Sequence, residues 1–551
     1  MSLKKIGKIL GKIMILEGIL MILPLIVSIV YQEYNNNIKY LLAFIIPIVL
    51  LLGIGILLQR LKQERTTLYQ KEGFVIVALV WVIMAAFGAL PFVINGDIPN
   101  YINALFETMS GFTTTGASVV PDVTKLCHSS LFWRSFTHWI GGMGILVFIL
   151  IFIPESNDGS SLHLLKAESP GPQVGKITSK MKVTTRILYL IYLGLTIIEF
   201  VILCLDKPIA GYESDHIFYS MLASFGSAGT GGFGFVPGSM ELYSPFSQYV
   251  ISIFLILFGI NFSLYYLILI GKIKDVLKSE ELKTYFGLVI SSIIIIMLSI
   301  VFKFVEIGKA INIEEIFRHS LFQVASIITT TGYTSTDYNL WPELAKMVII
   351  VLMFTGAMAG STAGGIKISR IVISFKGVFR NIRKLINPRY VPKTKFEGKT
   401  LEEVTINDVF SFITLYFIIF VLVLVILAFD PVNGKKIKIQ YSDNFEIVEP
   451  VHIDNIDEKI TDDLIDELFK DGIILDQDGN YYVEHGFLSN FSGALSCLSN
   501  IGPGLEAVGP YSNFNHYSYF SKITLTLTMM MGRLEILPVL ILFSPKTWRK
   551  D

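Results

Sequence analysis

Ser110–Ser118 reads SGFTTTGAS, a run of small and hydroxylated residues around one glycine, and it has three counterparts further along the chain. They are SAGTGGFG at Ser227–Gly234, ITTTGYTSTDY at Ile328–Tyr338 and LSNIGPGLEAVGPYSNF at Leu498–Phe514. Each follows an amphipathic stretch, at 101–112, 216–228, 313–329 and 487–499. A bilayer core about 30 Å thick needs on the order of 20 helical residues, so these stretches are too short to cross it. A segment that enters a membrane and turns back must bury its irregular backbone in protein or line water with it, because lipid offers unpaired amides and carbonyls no partner. Backbone carbonyls replace water around an alkali cation only where the chain adopts conformations that a side chain would obstruct, and glycine meets that need. The turn glycines are Gly116, Gly231, Gly332 and Gly502, preceded by Thr115, Thr230, Thr331 and Ile501, and these eight are the candidate cation-binding residues. Short helices ending at such turns aim their negative C-terminal dipole ends at the same point.

The rest of the chain supplies the membrane. Of 551 residues, 52% are hydrophobic and only 16% charged, an apolar share above that of ordinary soluble domains. Ten apolar stretches, at 9–30, 40–58, 74–94, 131–153, 186–205, 246–271, 284–305, 343–376, 406–429 and 519–543, are predicted crossings. Net charge is zero, but the charge is segregated. Basic residues gather between alternate crossings: Arg60, Lys62, Arg65 and Lys71; then Lys166, Lys176, Lys180, Lys182 and Arg186; then Lys272, Lys274, Lys278 and Lys283. Residues 366–400 hold ten Lys and Arg against the single acid Glu397. Excess Lys and Arg marks cytoplasmic segments, which places both termini in the cytoplasm. The basic N-terminus before an apolar run reads as an uncleaved first crossing, since no small-residue cleavage site follows Pro24.

The predicted fold is an all-α polytopic membrane protein. A two-helix leader (1–72) precedes four units of helix, pore loop and helix around a pseudo-fourfold axis: 73–183, with a cytoplasmic linker; 184–283; 284–400, with a broken helix and a basic linker; and 401–551. The stretch 343–376 is too long for one crossing and contains Gly356, Gly360, Ser361, Thr362, Gly364 and Gly365, so its helix should break in mid-membrane. An acidic insert at 430–486, with fifteen acids against five basic residues, reads as a small folded extracellular module containing a helix, a turn and a strand.

The four turns resemble the filter loops of the TrkH/KtrB family of bacterial potassium uptake subunits. The resemblance extends to FWRSFTHWIGGMGILVF (Phe132–Phe148), AESPGPQVGKIT (Ala167–Thr178), AGSTAGGIKISR (Ala359–Arg370) and MMMGRLEILP (Met529–Pro538), and so covers nearly the whole chain. It implies potassium uptake across the cytoplasmic membrane, a homodimer, and control by a cytosolic nucleotide-binding subunit resembling TrkA. It also implies an intramembrane gating loop at Gly360, Gly364 and Gly365, with Arg533 projecting below the filter and Glu535 bracing the neighbouring loop. In plant relatives a serine at the first filter position goes with sodium transport; Gly116 therefore favours potassium.

Other chemistries find little support. Three scattered cysteines, Cys127, Cys204 and Cys497, make neither a disulfide framework nor a metal cluster, and the eight histidines lack ligand spacing. No nucleophile, general base or paired carboxylates suggest an enzyme, and no cofactor or nucleic-acid partner is expected. Gly229, Gly231 and Gly234 spell a dinucleotide fingerprint outside any strand–helix unit, and Ile366 separates Gly365 from Lys367 and so breaks a phosphate-loop pattern. DQDGN in the insert lacks the ligand run of a calcium loop. The basic stretch 376–399 is a solvated cytoplasmic face that could meet the regulatory subunit or anionic lipid. The competing reading is a secondary transporter coupling a small solute to an ion at Gly-broken helices, but that architecture favours inverted repeats, whereas these units repeat in parallel.

Overall fold

The computed structural model describes residues 3–61, 70–142, 181–209, 211–387, 393–430, 436–437, 473–475, 481–483 and 486–548. Six helices are long and apolar enough to cross a membrane: Lys4–Val30, Lys39–Gln59, Glu72–Asn95, Val183–Cys204, Glu280–Glu306 and Glu403–Ala428. Their outer faces stay uncovered and apolar, as at Ile290, Ile294 and Leu298 or Ile418, Val421, Leu422 and Val425. Large bare stripes of this kind suit hydrocarbon and not water, and the chain is a multi-pass membrane protein.

Three of the other four expected crossings depart from single rods. The stretch 246–271 is two helices, Pro245–Phe258 and Phe262–Leu269, bent by 91°. Asn261 makes the corner: its side chain accepts the Ser263 amide at 2.9 Å and starts the second helix. The stretch 343–376 is interrupted as expected, between Glu343–Thr355 and Ile368–Ile386. The stretch 519–543 was expected to be continuous, but it stops at Arg533 and restarts at Leu537. Glu535 and Ile536 between them have φ of 60° and 64°. Left-handed backbone at a β-branched residue is uncommon and persists only where its surroundings enforce it. For 131–153 the described part is the helix His128–Gly142; its remainder and the linker motif at 167–178 lie outside the described residues.

The all-α expectation also needs correction. Lys395–Phe396 pairs with Lys399–Thr400, and within the insert Tyr481–Val483 pairs with both Lys436–Ile437 and Ile473–Leu475, all antiparallel. The helix expected in the insert falls outside the described residues.

Four short helices, Tyr101–Phe112, His216–Gly229, Ile313–Ile328 and Phe487–Ser499, lie at the expected stretches. They are buried despite their serines and threonines, because they pack inside the shell of long helices. Two apolar clusters surround them and interlock. One runs from the leader through residue 262 and takes in Phe322, Ala325 and Tyr333; the other runs from Val276 onward and takes in Phe106, Ala117 and Val119. Each half of the chain therefore contributes side chains to the other's core.

Candidate functional site

The four short helices end in one repeated backbone pattern. The residue after the last turn is left-handed at Thr114, Thr230, Thr330 and Asn500, with φ between 53° and 58°. The next residue returns its amide to the carbonyl five positions back: Thr115 to Ser110 (2.8 Å), Gly231 to Gly226 (2.9 Å), Thr331 to Ser326 (2.8 Å) and Ile501 to Ser496 (2.9 Å). These are the bonds by which a left-handed cap satisfies a helix's last carbonyls. A glycine with positive φ then follows: Gly116 (79°), Gly232 (76°), Gly332 (84°) and Gly502 (104°).

These four glycines form a closed cycle. A Cβ on Gly116 would come within 3.0 Å of the Gly231 carbonyl oxygen, one on Gly232 within that distance of Thr331, one on Gly332 of Ile501, and one on Gly502 of Thr115. Every loop thus closes against the carbonyl of the next, and the fourth returns to the first. Register in the second loop differs from the sequence expectation. Gly232, not Gly231, is the counterpart of Gly116, Gly332 and Gly502; Gly231 stands where Thr115 does, and Thr230 where Thr114 does. Gly116, Gly232, Gly332 and Gly502 all line one cavity of about 340 Å³, together with Asp122 and Arg134.

Buried charge holds the loops from behind. Glu107, on the first short helix, and Arg134, on His128–Gly142, are both buried and joined at 2.8 Å. Arg134 also donates to the Gly234 carbonyl at 2.8 Å and lies 4.2 Å above the Phe233 ring, while Glu107 accepts the Val119 amide at 2.8 Å. A buried ion pair survives only with its remaining hydrogen-bond capacity satisfied, and here the first two loops supply it. Sequence reasoning missed this pair, although Glu107 inside an apolar amphipathic stretch was a readable signal.

Beneath the ring lies the broken segment 356–367. The Gly364 amide donates to Thr330 Oγ1 at 2.6 Å, and a Cβ there would meet the Ser499 carbonyl, so the segment sits directly under the third and fourth loops. It also meets the corner at Gly259–Asn261: Phe262 donates to the Gly360 carbonyl (3.0 Å) and Met358 to that of Gly259 (3.2 Å). Gly365 packs against Gly356 where the two ends of the break approach. Glu281 clamps both ends, accepting the Ala359 amide at 2.8 Å and the Ser369 amide at 3.1 Å.

Arg533 reaches into this layer. It donates to the carbonyls of Thr362 (2.8 Å) and Gly142 (2.8 Å) and also to that of Gly141, tying the last helix to the broken segment and to the helix after the first loop. Glu535 does not pair with it. Its partner is Arg370 at 2.6 Å, at the start of the helix that follows the break, and that guanidinium lies 3.9 Å above the Phe412 ring. Asn500 links the ring to the last helix, with Nδ2 donating to Thr115 Oγ1 and to the Met529 carbonyl, each at 2.9 Å. Among the described residues no group of His, Cys, Asp and Glu could hold a metal ion, and the three cysteines are free.

Comparison with known proteins agrees with this architecture. Residues 41–432 match the family model TrkH, described as a cation transport protein. The chain is 29% identical to the Trk system potassium uptake protein TrkH of Escherichia coli (strain K12), covering all of both chains. It is 26% identical to the Trk system potassium uptake protein TrkI of Halomonas elongata, covering 98% of this chain and 96% of that one. Among solved structures, the crystal structure of the potassium transporter TrkH from Vibrio parahaemolyticus superposes with a TM-score of 0.77 at 26% identity over the full length of both. A family match over most of the chain, joined to a helical membrane architecture that superposes end to end, leaves one conclusion: the chain belongs to the TrkH family of cation transport proteins.

Proposed function

We propose that this chain takes potassium into the cell across the cytoplasmic membrane, through the ring formed by its four loops. The carbonyls of Thr115, Gly231, Thr331 and Ile501, with those of Gly116, Gly232, Gly332 and Gly502, replace the ion's hydration shell. Thr230 belongs to this site as the left-handed residue that delivers Gly231. One observation carries the reading: each positive-φ glycine closes on the carbonyl of the next loop in an unbroken cycle of four. The four short helices end within three residues of that ring, with their negative dipole ends toward it.

The gate is the layer below, built from the broken segment with Gly360, Gly364 and Gly365 and from Arg533. A guanidinium there opposes cations electrostatically, while the segment obstructs them sterically. Both termini face the cytoplasm by the distribution of Lys and Arg, and the basic stretch 376–399 faces a cytosolic nucleotide-binding subunit resembling TrkA. The protein works as a homodimer, four pore-loop units to each chain, as the family resemblance implies. The relatives' names, as potassium uptake proteins, support the choice of ion.

Rubidium uptake by the full-length protein in proteoliposomes tests the assignment. External potassium should suppress uptake at far lower concentration than sodium does. Equal suppression by the two ions overturns the potassium reading.

A further inference from the structure

The second loop lacks the internal braces of the others. Thr113 and Thr115 share a hydroxyl hydrogen bond at 2.8 Å in the first loop, and Thr329 and Thr331 share one at 2.8 Å in the third. Ser326 Oγ holds the Tyr333 carbonyl at 2.6 Å, and Ser496 Oγ holds that of Gly502 at 2.5 Å. The second loop has glycine at 226, 229, 231, 232 and 234, so few of its residues carry a side chain that could do the same. Glycine-rich backbone has the most freedom to lose on ordering, so its position must be imposed from outside.

His138 imposes it. It is fully buried, one helical turn beyond Arg134 on the same face of His128–Gly142. Its Nδ1 lies 2.8 Å from the Gly111 carbonyl oxygen, at the end of the first short helix. Its Nε2 lies 3.2 Å from the backbone nitrogen of Phe233, the residue after Gly232. A carbonyl only accepts and an amide only donates, so Nδ1 carries the proton and Nε2 is bare. Phe233 is held between the Arg134 guanidinium and the imidazole, whose ring centroid is 4.3 Å from its own. The imidazole also fills the space beside Gly231, where a Cβ would collide with His138 Cγ, Nδ1 and Cδ2.

We propose that His138, as the neutral Nδ1–H tautomer, is a positioning residue that sets the register of the second loop against the first and thereby sets cation selectivity. The inference rests on the reading of the ring as a selectivity filter. The Gly231 carbonyl is the oxygen on which Gly116 closes, and Phe233, two residues on, is the point His138 holds. Without that acceptor the loop keeps its fold but loses the fixed height of one of four carbonyls. Gly231 is glycine because His138 stands beside it, whereas Gly232 is glycine because the ring closes there.

The experiment measures the potassium-to-sodium competition ratio for rubidium uptake by full-length variants in proteoliposomes. His138→Leu keeps bulk but gives up the bonds to Gly111 and Phe233, and should lower the ratio about tenfold, the scale of losing the Phe233 hydrogen bond, in a protein that still folds. His138→Gln, whose Oε1 can accept the Phe233 amide, should recover most of the loss. Gly231→Ala should depress uptake strongly, and His138→Ala in the same chain should restore it, whereas His138→Ala should not restore Gly232→Ala, whose Cβ meets backbone. A selective His138→Leu protein, or a Gly231→Ala defect that His138→Ala leaves unchanged, overturns the proposal while leaving the filter reading intact. A wild-type protein that does not discriminate between the ions overturns both.

Discussion

The ring and the layer beneath it are built on opposite plans. The ring draws one equivalent backbone segment from each of four loops, and its contacts are glycine against carbonyl. The layer beneath, the plug, draws on single copies: one broken helix, one bent helix and one arginine, joined by backbone hydrogen bonds and by bonds between side chains and backbone. Backbone packed this tightly leaves no room for a Cβ at any of the four glycines. Side-chain hydrogen bonds can be exchanged for water or for other partners. Under the proposed function, selection falls to the ring and gating to the layer beneath it.

The sharpest way to break this comparison is to put a side chain into the ring. Gly232→Ala places a methyl group against the Thr331 carbonyl on backbone that already has φ of 76°. Uptake should fall at least about a hundredfold, because neither atom can move without displacing a loop. Gly116→Ser meets the Gly231 carbonyl in the same way. Its serine can shift the second loop, which is the least braced, so its main effect should be on selectivity: a drop of about tenfold in the potassium-to-sodium ratio. Tracer competition measures both, and wild-type ratios in these variants would remove the two glycines from the selecting layer.

How much of this was legible depends on what kind of constraint chose each residue. The short helices were legible because amphipathic stretches of that length before a glycine turn have few other uses in a membrane chain. The break at 356–367 was legible from its density of small residues. The second loop's register was not. In TGGF the threonine–glycine pair imitates the other loops, but Gly231 is glycine to make room for His138, ninety-three positions earlier in the chain. The restart at Leu537 carried a mark in Pro538, in the first turn of the new helix, but the left-handed pair Glu535 and Ile536 itself holds no glycine and is imposed by tertiary contacts, among them the Arg370 ion pair. Glu281 was visible as an acid beside an apolar run, but the amides it holds, those of Ala359 and Ser369, lie in a different crossing.

Removing the plug's arginine should have the opposite sign to filling the ring. Arg533→Ala deletes hydrogen bonds to the Thr362, Gly141 and Gly142 carbonyls, each charge-assisted and worth about 1.5–3 kcal/mol, along with the positive charge itself. Basal rubidium flux should rise about tenfold while the competition ratio stays at the wild-type value, because no ring contact is lost. A variant that is folded yet no more permeable would move the gate elsewhere.

Glu535→Gln sharpens the same contrast at smaller amplitude. The Arg370–Glu535 pair is short at 2.6 Å, but the Glu535 side chain is 27% exposed, so water screens part of its effect. Arg370 retains its place over Phe412 and its bond to the Ile366 carbonyl at 3.3 Å. About 1 kcal/mol of bracing should be lost, which corresponds to a rise in basal flux of about fivefold at most. An increase as large as that of Arg533→Ala would make this ion pair, rather than the arginine in the plug, the main closing element.

The smallest expected effect lies in the cavity beside the ring, at Asp122, and it separates long-range charge from local structure. Asp122 lines that cavity and caps the turn Val123–Lys125, accepting the Thr124 amide at 2.9 Å and its hydroxyl at 2.6 Å. The Thr124 hydroxyl holds its carboxyl below the usual carboxylate range. A carboxylate with a lowered value contributes above the ordinary range and loses its contribution only as pH falls through the lowered one. Uptake in dilute buffer should therefore stay level through the ordinary carboxylate range and decline only as pH falls below it. Asn caps a helical turn as well as Asp does, so Asp122→Asn removes the charge and keeps the turn. Electrostatic reach is about 30 Å at 0.01 M salt and about 8 Å at 0.15 M, so a charge at the mouth raises local cation concentration mainly in dilute buffer. The variant should take up rubidium about twofold more slowly in dilute buffer and at the wild-type rate in physiological salt. A deficit that persists at high salt would mean that Asp122 acts through the shape of the cavity rather than through its charge.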